Sequence, residues 1–390
     1  MKVCIWTTSL QADTLALAIA MDEDPEIELI IVTKGKDAIV SEPIFKFNPL
    51  NCQILDRDLD HYELIIKNFS PDIVYADNHI PPFSVPDKFL YHWHGLPLKI
   101  RPAKDLRAFH RHASRLIGQT KKPNSRFIAQ CYGDVDYEHR INKWQLAKEN
   151  CRIWGSAFSD LLLSPPYQKK DLEGYFNLDL TSRKTLLLSI TWHFGDKVFG
   201  VLGDDDEIFG AIVKVVNDMD ANLVFSMHDR YRYNPVLINK IEKYASQCNQ
   251  SFIKYKSEHV DNLADLIASD VMICSFSSFI VFHYFTGKPS IHILPVDDKK
   301  AFVSMPAIKK KQITHLWRRN NDNLWMYPFS ENGGLVPDNG NTLIQDLQRS
   351  LVDPNYGKNN ADQFIQNRIH KPDGNTCQRI LSDMKTWIND

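Results

Sequence analysis

The sequence contains no sustained apolar run, no cysteine pairing pattern, no glycine-rich phosphate loop and no excess of charge of either sign. Its longest apolar window, 271–285, is interrupted by Ser275, Ser277, Ser278 and His283, whereas a bilayer span needs about 20 apolar residues. Met1-Lys2 runs directly into a strand-like stretch at 3–7, not into the apolar middle and small-residue cleavage site of a secretory signal. The seven cysteines, at 4, 52, 131, 151, 248, 274 and 377, include no C-x-x-C pair. That excludes the common zinc and redox frameworks and reads as a reduced, cytoplasmic chain. With 46 basic against 48 acidic residues, the formal charge is −2. Neither a basic nucleic-acid coat nor an acidic disordered tail fits that balance, so no nucleic-acid partner is expected. Proline (20) outnumbers glycine (16), which argues against Gly-rich linkers.

What is present points to an α/β chain of two domains. The chain has 390 residues, 43% of them hydrophobic, enough for two cores of ordinary size. Short β-branched runs at 3–7, 27–33, 73–75 and 89–92 alternate with amphipathic stretches at 12–21 and 137–151. A second series has strand candidates at 185–190, 223–227, 252–254, 271–274 and 290–294, and helix candidates at 206–219, 235–247, 263–268 and 278–285. This rhythm predicts two doubly wound parallel sheets joined around 171–184. No strand ends in G-x-G-x-x-G or G-x-x-x-x-G-K-[ST], so neither a dehydrogenase nor a P-loop nucleotidase is indicated.

Four strand ends carry candidate chemistry. At 92–99, His-Trp-His-Gly-Leu-Pro-Leu-Lys places two histidines after an apolar strand, where α/β enzymes put reactive groups. His94 is the candidate base and the alternative is a histidine packed in the core. Ser189-Ile190-Thr191-Trp192-His193 precedes the acidic run 203–207, whose adjacent carboxylates suit a helix start better than a metal. His228 is followed closely by Arg230, a pairing suited to phosphate oxygens. Ser275, Ser277 and Ser278 end a buried strand and open a helix, where hydroxyls and free N–H groups can cap or hold an anion. Beyond these, Lys99, Arg101, Lys104, Arg107, Arg111, Arg115, Lys121, Lys122 and Arg126 face the single acid Asp105 between 99 and 126. A second basic cluster, Lys309-Lys310-Lys311 and Arg318-Arg319, lies near Trp317 and Trp325. Such surfaces attract polyanions or anionic headgroups.

The order Trp93-His94-Gly95-Leu96-Pro97-Leu98-Lys99, 160–165, 188–193, Met227-His228, Ser277-Ser278 and Asp373-Gly374-Asn375 resembles the CDP-glycerol glycerophosphotransferases of teichoic-acid synthesis, from about residue 90 onward. The resemblance implies a GT-B-like fold, two Rossmann-like doubly wound domains with an interlobe cleft. The expected parts are an acceptor-side domain at 1–178, a nucleotide-donor domain at 179–372 and a terminal helix at 373–390 that crosses back to the first. It also implies a transfer of a polyol phosphate from a CDP-activated donor to a hydroxyl of a surface glycan, with release of CMP. In that scheme His94 and His228 are catalytic. Thr191, His193, Arg230, Ser275, Ser277 and Ser278 hold the donor, and Lys99, Arg101, Lys104 and Arg107 face an anionic or lipid-linked acceptor or the inner face of the membrane. No cofactor is implied and no motif requires a divalent metal. The family's P-T-W-R reads Ile190-Thr191-Trp192-His193 here, its D-Y-S-S reads Ser275-Phe276-Ser277-Ser278, and its H-P reads His228-Asp229. The alternatives are a GT-B glycosyltransferase using a CMP- or UDP-linked sugar, and a non-catalytic polyanion-binding homologue.

Overall fold

The computed structural model describes residues 1–58, 61–77, 79–93, 95–98, 103–190, 198–228, 234–255, 261–275, 277–293, 302–309, 312–319 and 326–389, with backbone alone at 103–104, 302–309, 312–319 and 329. Seven strands form the first sheet: β1 (Lys2–Trp6), β2 (Glu28–Thr33), β3 (Gln53–Asp56), β4 (Ile73–Asp77), β5 (Lys88–His92), β6 (Phe127–Cys131) and β7 (Cys151–Ile153). Five form the second: β8 (Thr185–Ile190), β9 (Asn222–Met227), β10 (Ser251–Tyr255), β11 (Val271–Ser275) and β12 (Ser290–Ile293). The orders are β3-β2-β1-β4-β5-β6-β7 and β10-β9-β8-β11-β12, and every pairing in both sheets is parallel. Strands buried on both faces read as unbroken apolar runs, as in Val3-Cys4-Ile5-Trp6 and Leu186-Leu187-Leu188. Their alternate residues feed different cores: Val3 and Ile5 point into one cluster, Cys4 and Trp6 into another.

The cluster that receives Val3 and Ile5 also receives Leu187, Val224 and Met272 from the second sheet. One apolar layer therefore lies between the two sheets and is shared by them. A buried ionic cluster adds specificity to this seam. Lys254 donates to Asp265 Oδ1 at 2.7 Å and to the carbonyl of Asp261. Asp261 accepts from Tyr167 Oη at 3.3 Å, and Glu42 in the first half accepts from Tyr175 Oη at 2.8 Å. All four charged residues are about 1% exposed. The last helix, Thr376–Trp387, returns to the first sheet: Cys377 N–H donates to Asp160 at 2.7 Å, Trp154 Nε1 to Asp383 at 2.6 Å and Trp387 Nε1 to the Ser125 carbonyl at 2.7 Å. The first of these bonds ties Asp160, which opens the segment 160–165, to the first turn of the helix that follows Asp373-Gly374-Asn375.

Two expectations change. The helix expected at 137–151 is Asp134–Asn142; the chain leaves it because buried Trp144 packs into the core and Gln145 takes a left-handed φ of 56°. The chain then makes a 3₁₀ turn and β7. Of the second basic cluster, Lys309, Arg318 and Arg319 lie on an antiparallel strand pair, β13 (Phe302–Lys309) with β14 (Gln312–Arg319), whose pairing was not expected. Substituting Lys254→Met removes the one ammonium among three buried carboxylates. We expect a loss of about 3–5 kcal/mol in urea unfolding at pH 7, and a loss below about 1 kcal/mol would contradict the charge-compensation account.

Candidate functional site

In open parallel sheets, ligands meet the carboxyl ends of strands where the strand order reverses. Here those ends are β1 and β4 with the neighbouring β5 in the first sheet, and β8 and β11 in the second. His92 closes β5 and is fully buried, so it is the histidine that packs inward. His94, two residues on, lies outside the described residues. Around it the chain is tied to one phenol. Tyr132 Oη lies 2.7 Å from the Trp93 carbonyl and accepts the Gly95 N–H at 2.7 Å. The same hydroxyl donates to Asp13 Oδ2 at 2.7 Å and lies 3.2 Å from His92 Nε2. Asp13 also accepts from Ser156 Oγ at 2.7 Å and Phe158 N–H at 2.9 Å. Burial pushes its carboxyl up, but the bond and charge of His92, with the Phe158 N–H and Tyr132, hold it below the usual range. Tyr132 is pushed well up by burial and by Asp13, so it stays a protonated donor.

On the facing side, Ser277 caps the short helix Ser278–Tyr284, its Oγ accepting from Phe279 N–H at 3.3 Å. Ser278 begins that helix. Gly95 meets it directly: a Cβ at position 95 would lie 2.7 Å from Ser278 Cβ and 2.8 Å from its Oγ, and the backbone there has φ +110°. Only glycine satisfies both conditions. Behind the contact, Phe282 and Phe158 meet edge to face with centroids 5.0 Å apart. Gly95 and Ser278, the second of the paired serines, are thus in van der Waals contact across the seam.

The other sequence candidates are placed as follows. His228 is exposed just past β9, and Ser275 is the last residue of β11, 2% exposed. Arg107 is exposed on the helix Ala103–Ile117, which carries Lys104 in its first turn. Thr191, His193, Arg230, Lys99 and Arg101 lie outside the described residues. Within the acidic run, Asp204 caps a helix by accepting from the N–H groups of Asp206 and Glu207, and Asp205 accepts from Val198 and Phe199. Among the described residues no group of three or more His, Cys, Asp or Glu is placed to hold a metal, and no helix is long and apolar enough to cross a membrane.

No protein-family model matches the chain, and no curated protein matches it in sequence. Solved structures do. A variant of the wall teichoic acid polymerase TagF superposes with a TM-score of 0.68 at 14% identity, covering 100% of this chain and 89% of that one. A UDP-GlcNAc 2-epimerase from Neisseria meningitidis, bound to UDP-GlcNAc, gives 0.60 at 13% identity over 99% and 100%. A glycosyltransferase from Rickettsia africae gives 0.53 at 12% identity over 100% and 98%. The chain has a GT-B fold. Likeness at these identities establishes that architecture, and chemistry has to be argued from the residues.

Within this GT-B chain, sequence reading passed over three groups at the site: Asp13, Tyr132 and Asp77. Asp77 had a signal, because it ends the apolar run Ile73-Val74-Tyr75-Ala76 just as His92 ends its own strand. It pairs in register with His92, accepts from Thr7 Oγ1 at 3.3 Å and leaves Oδ1 buried without a partner among the described residues. Burial pushes its carboxyl up to about 7 against the pull of His92 and Thr7. The unfolded chain releases this proton near pH 4 and the folded one near 7, so the native state binds more protons between them and stability falls as pH rises through that window. Asp77→Asn mimics the protonated form. Relative to the parent it should gain stability steadily from pH 4 to 7, read by urea unfolding at pH 5 and 8, and an equal difference at both would contradict the assignment.

Proposed function

We propose that the chain is a transferase that moves a polyol phosphate, of the glycerol-phosphate kind, from a CDP-activated donor to a hydroxyl of an anionic or lipid-linked surface glycan. The observation that carries the reading is the contact of Gly95 with Ser278. It brings a histidine-bearing strand end of one half against the paired serines of the other, in the order and with the residues of the family whose motifs the sequence resembles. We take the two halves to part near residue 178. The TagF likeness supports the architecture this reaction needs, and a nucleotide-activated donor is in keeping with the UDP-GlcNAc bound by a neighbour of the same fold.

In the proposed mechanism His94 takes the proton of the acceptor hydroxyl, the oxygen attacks the β-phosphorus, and CMP leaves as the phosphodiester forms. Ser277, Ser278, His228 and Arg230 surround the diphosphate, with Ser275, Thr191 and His193 completing the donor side. Lys99, Arg101, Lys104 and Arg107 meet the acceptor or an anionic membrane surface. The helix Ala103–Ile117 supports this last role: it buries Leu106, Phe109, Ala113 and Ile117 and exposes Arg107, Arg111 and Arg115, one per turn. None of those three arginines has a carboxylate partner among the described residues.

A thermal-shift screen of CMP, CDP, CDP-glycerol and UDP tests the donor, since a ligand that binds only the folded state raises the melting temperature by mass action. Cytidine nucleotides should give the larger shift; UDP alone doing so favours the glycosyltransferase reading. With the donor in hand, His94→Ala should lower turnover about 10²–10⁴-fold with donor affinity kept. A variant of near-parental activity would remove His94 from the mechanism.

A further inference from the structure

The Trp93 carbonyl oxygen and the Gly95 amide nitrogen both approach one atom. Tyr132 Oη is 2.7 Å from the carbonyl oxygen of Trp93 and 2.7 Å from the amide nitrogen of Gly95. The ring of Tyr132 is completely buried, 38 residues along the chain from position 94, at the end of β6 next to β5. Its hydroxyl proton is drawn toward Asp13 Oδ2, also at 2.7 Å, on a helix more than a hundred residues away in sequence. Asp13 is itself fixed by Ser156 Oγ and the Phe158 N–H. A hydrogen bond to an ionised, buried acceptor is stronger than a neutral one and costs more to leave unmade. The phenol is thereby held from below and holds the chain above it.

We propose that Tyr132 is a positioning residue for His94, its hydroxyl donating to Asp13 and accepting the N–H of Gly95, the residue that follows that histidine. The inference rests on the reading of His94 as the base. Gly95 extends the effect across the molecule: the N–H held by Tyr132 belongs to the residue whose Cα abuts Ser278. One hydroxyl therefore fixes Gly95, the residue next to the base, and the approach of Gly95 to Ser278, one of the serines proposed to hold the donor. Misplacing a reacting group by about 1 Å costs on the order of 10²-fold in rate, so the clamp acts on turnover and leaves donor binding to the other half.

The test is Tyr132→Phe, which keeps the ring and removes only the hydroxyl. Expected is a kcat lowered roughly 10- to 100-fold, with KM for donor and acceptor changed by no more than about threefold. In the His94→Ala background the same substitution should change turnover by less than about twofold, because a residue that works through His94 has nothing left to position. Hydrogen exchange supplies a readout independent of turnover: the Gly95 amide should exchange at least about tenfold faster in Tyr132→Phe. Parental kcat in Tyr132→Phe, losses that multiply in the double variant, or an unchanged Gly95 amide would each overturn the inference. Melting temperature and donor affinity are measured first. Should Tyr132→Phe not fold, Asp13→Asn weakens the same clamp from below, and the same results in it decide. Near-parental activity of His94→Ala defeats both this inference and the reading beneath it; an impaired His94→Ala beside a fully active Tyr132→Phe defeats this inference alone.

Discussion

The close approach of Gly95 to Ser278 is the constraint on which the rest of the molecule depends. A side chain at position 95 would put its first carbon within 2.7 Å of Ser278, and the left-handed backbone there already favours glycine. For the two to meet, β5 must end at the right height and the helix Ser278–Tyr284 must begin at the right point on the second sheet. Each condition is met locally. Tyr132 and Asp13 fix the end of β5, and the capping hydroxyl of Ser277 with the Phe158–Phe282 ring contact fixes the start of the helix.

The two halves are also held at a distance from this contact. A shared apolar layer runs between the sheets, and apolar burial is the main favourable term in such packing. It is non-directional and would tolerate sliding. The buried set of Lys254, Asp265, Asp261 and Glu42, with Tyr167 and Tyr175 donating to two of its carboxylates, supplies the direction. The returning helix Thr376–Trp387 adds a third tie by bonding the chain's last segment to Asp160, Trp154 and Ser125. Register between the halves is thus specified by polar groups, while cohesion comes from the apolar layer.

The parallel strands were legible because burial on both faces leaves an unbroken apolar signature, as in Thr185–Ile190 and Val271–Ser275. Short or polar-bearing strands were not: β3 has four residues, β7 has three, and β6 carries buried Gln130, whose amide donates to the Gly155 carbonyl at 2.6 Å. The paired histidines at 92 and 94 were visible, and so was the choice between a packed and a reactive one; burial assigns the packed role to His92. What surrounds them was out of reach. Asp13 and Tyr132 meet across 119 residues, and nothing local in Ala12-Asp13-Thr14 or Cys131-Tyr132-Gly133 marks a partner so distant. The basic stretch was legible as composition, but its arrangement, one arginine per turn on the outer face of a helix, needs the helix itself.

The central claim is that a nucleotide-activated donor lies where the end of β5 meets the paired serines. Hydrogen–deuterium exchange with and without the nucleotide that most raises the melting temperature tests it most directly. The account predicts slowed exchange in both 93–98 and 277–284 and no comparable change elsewhere in the first half. Protection confined to one of the two segments, or found in neither, would contradict it.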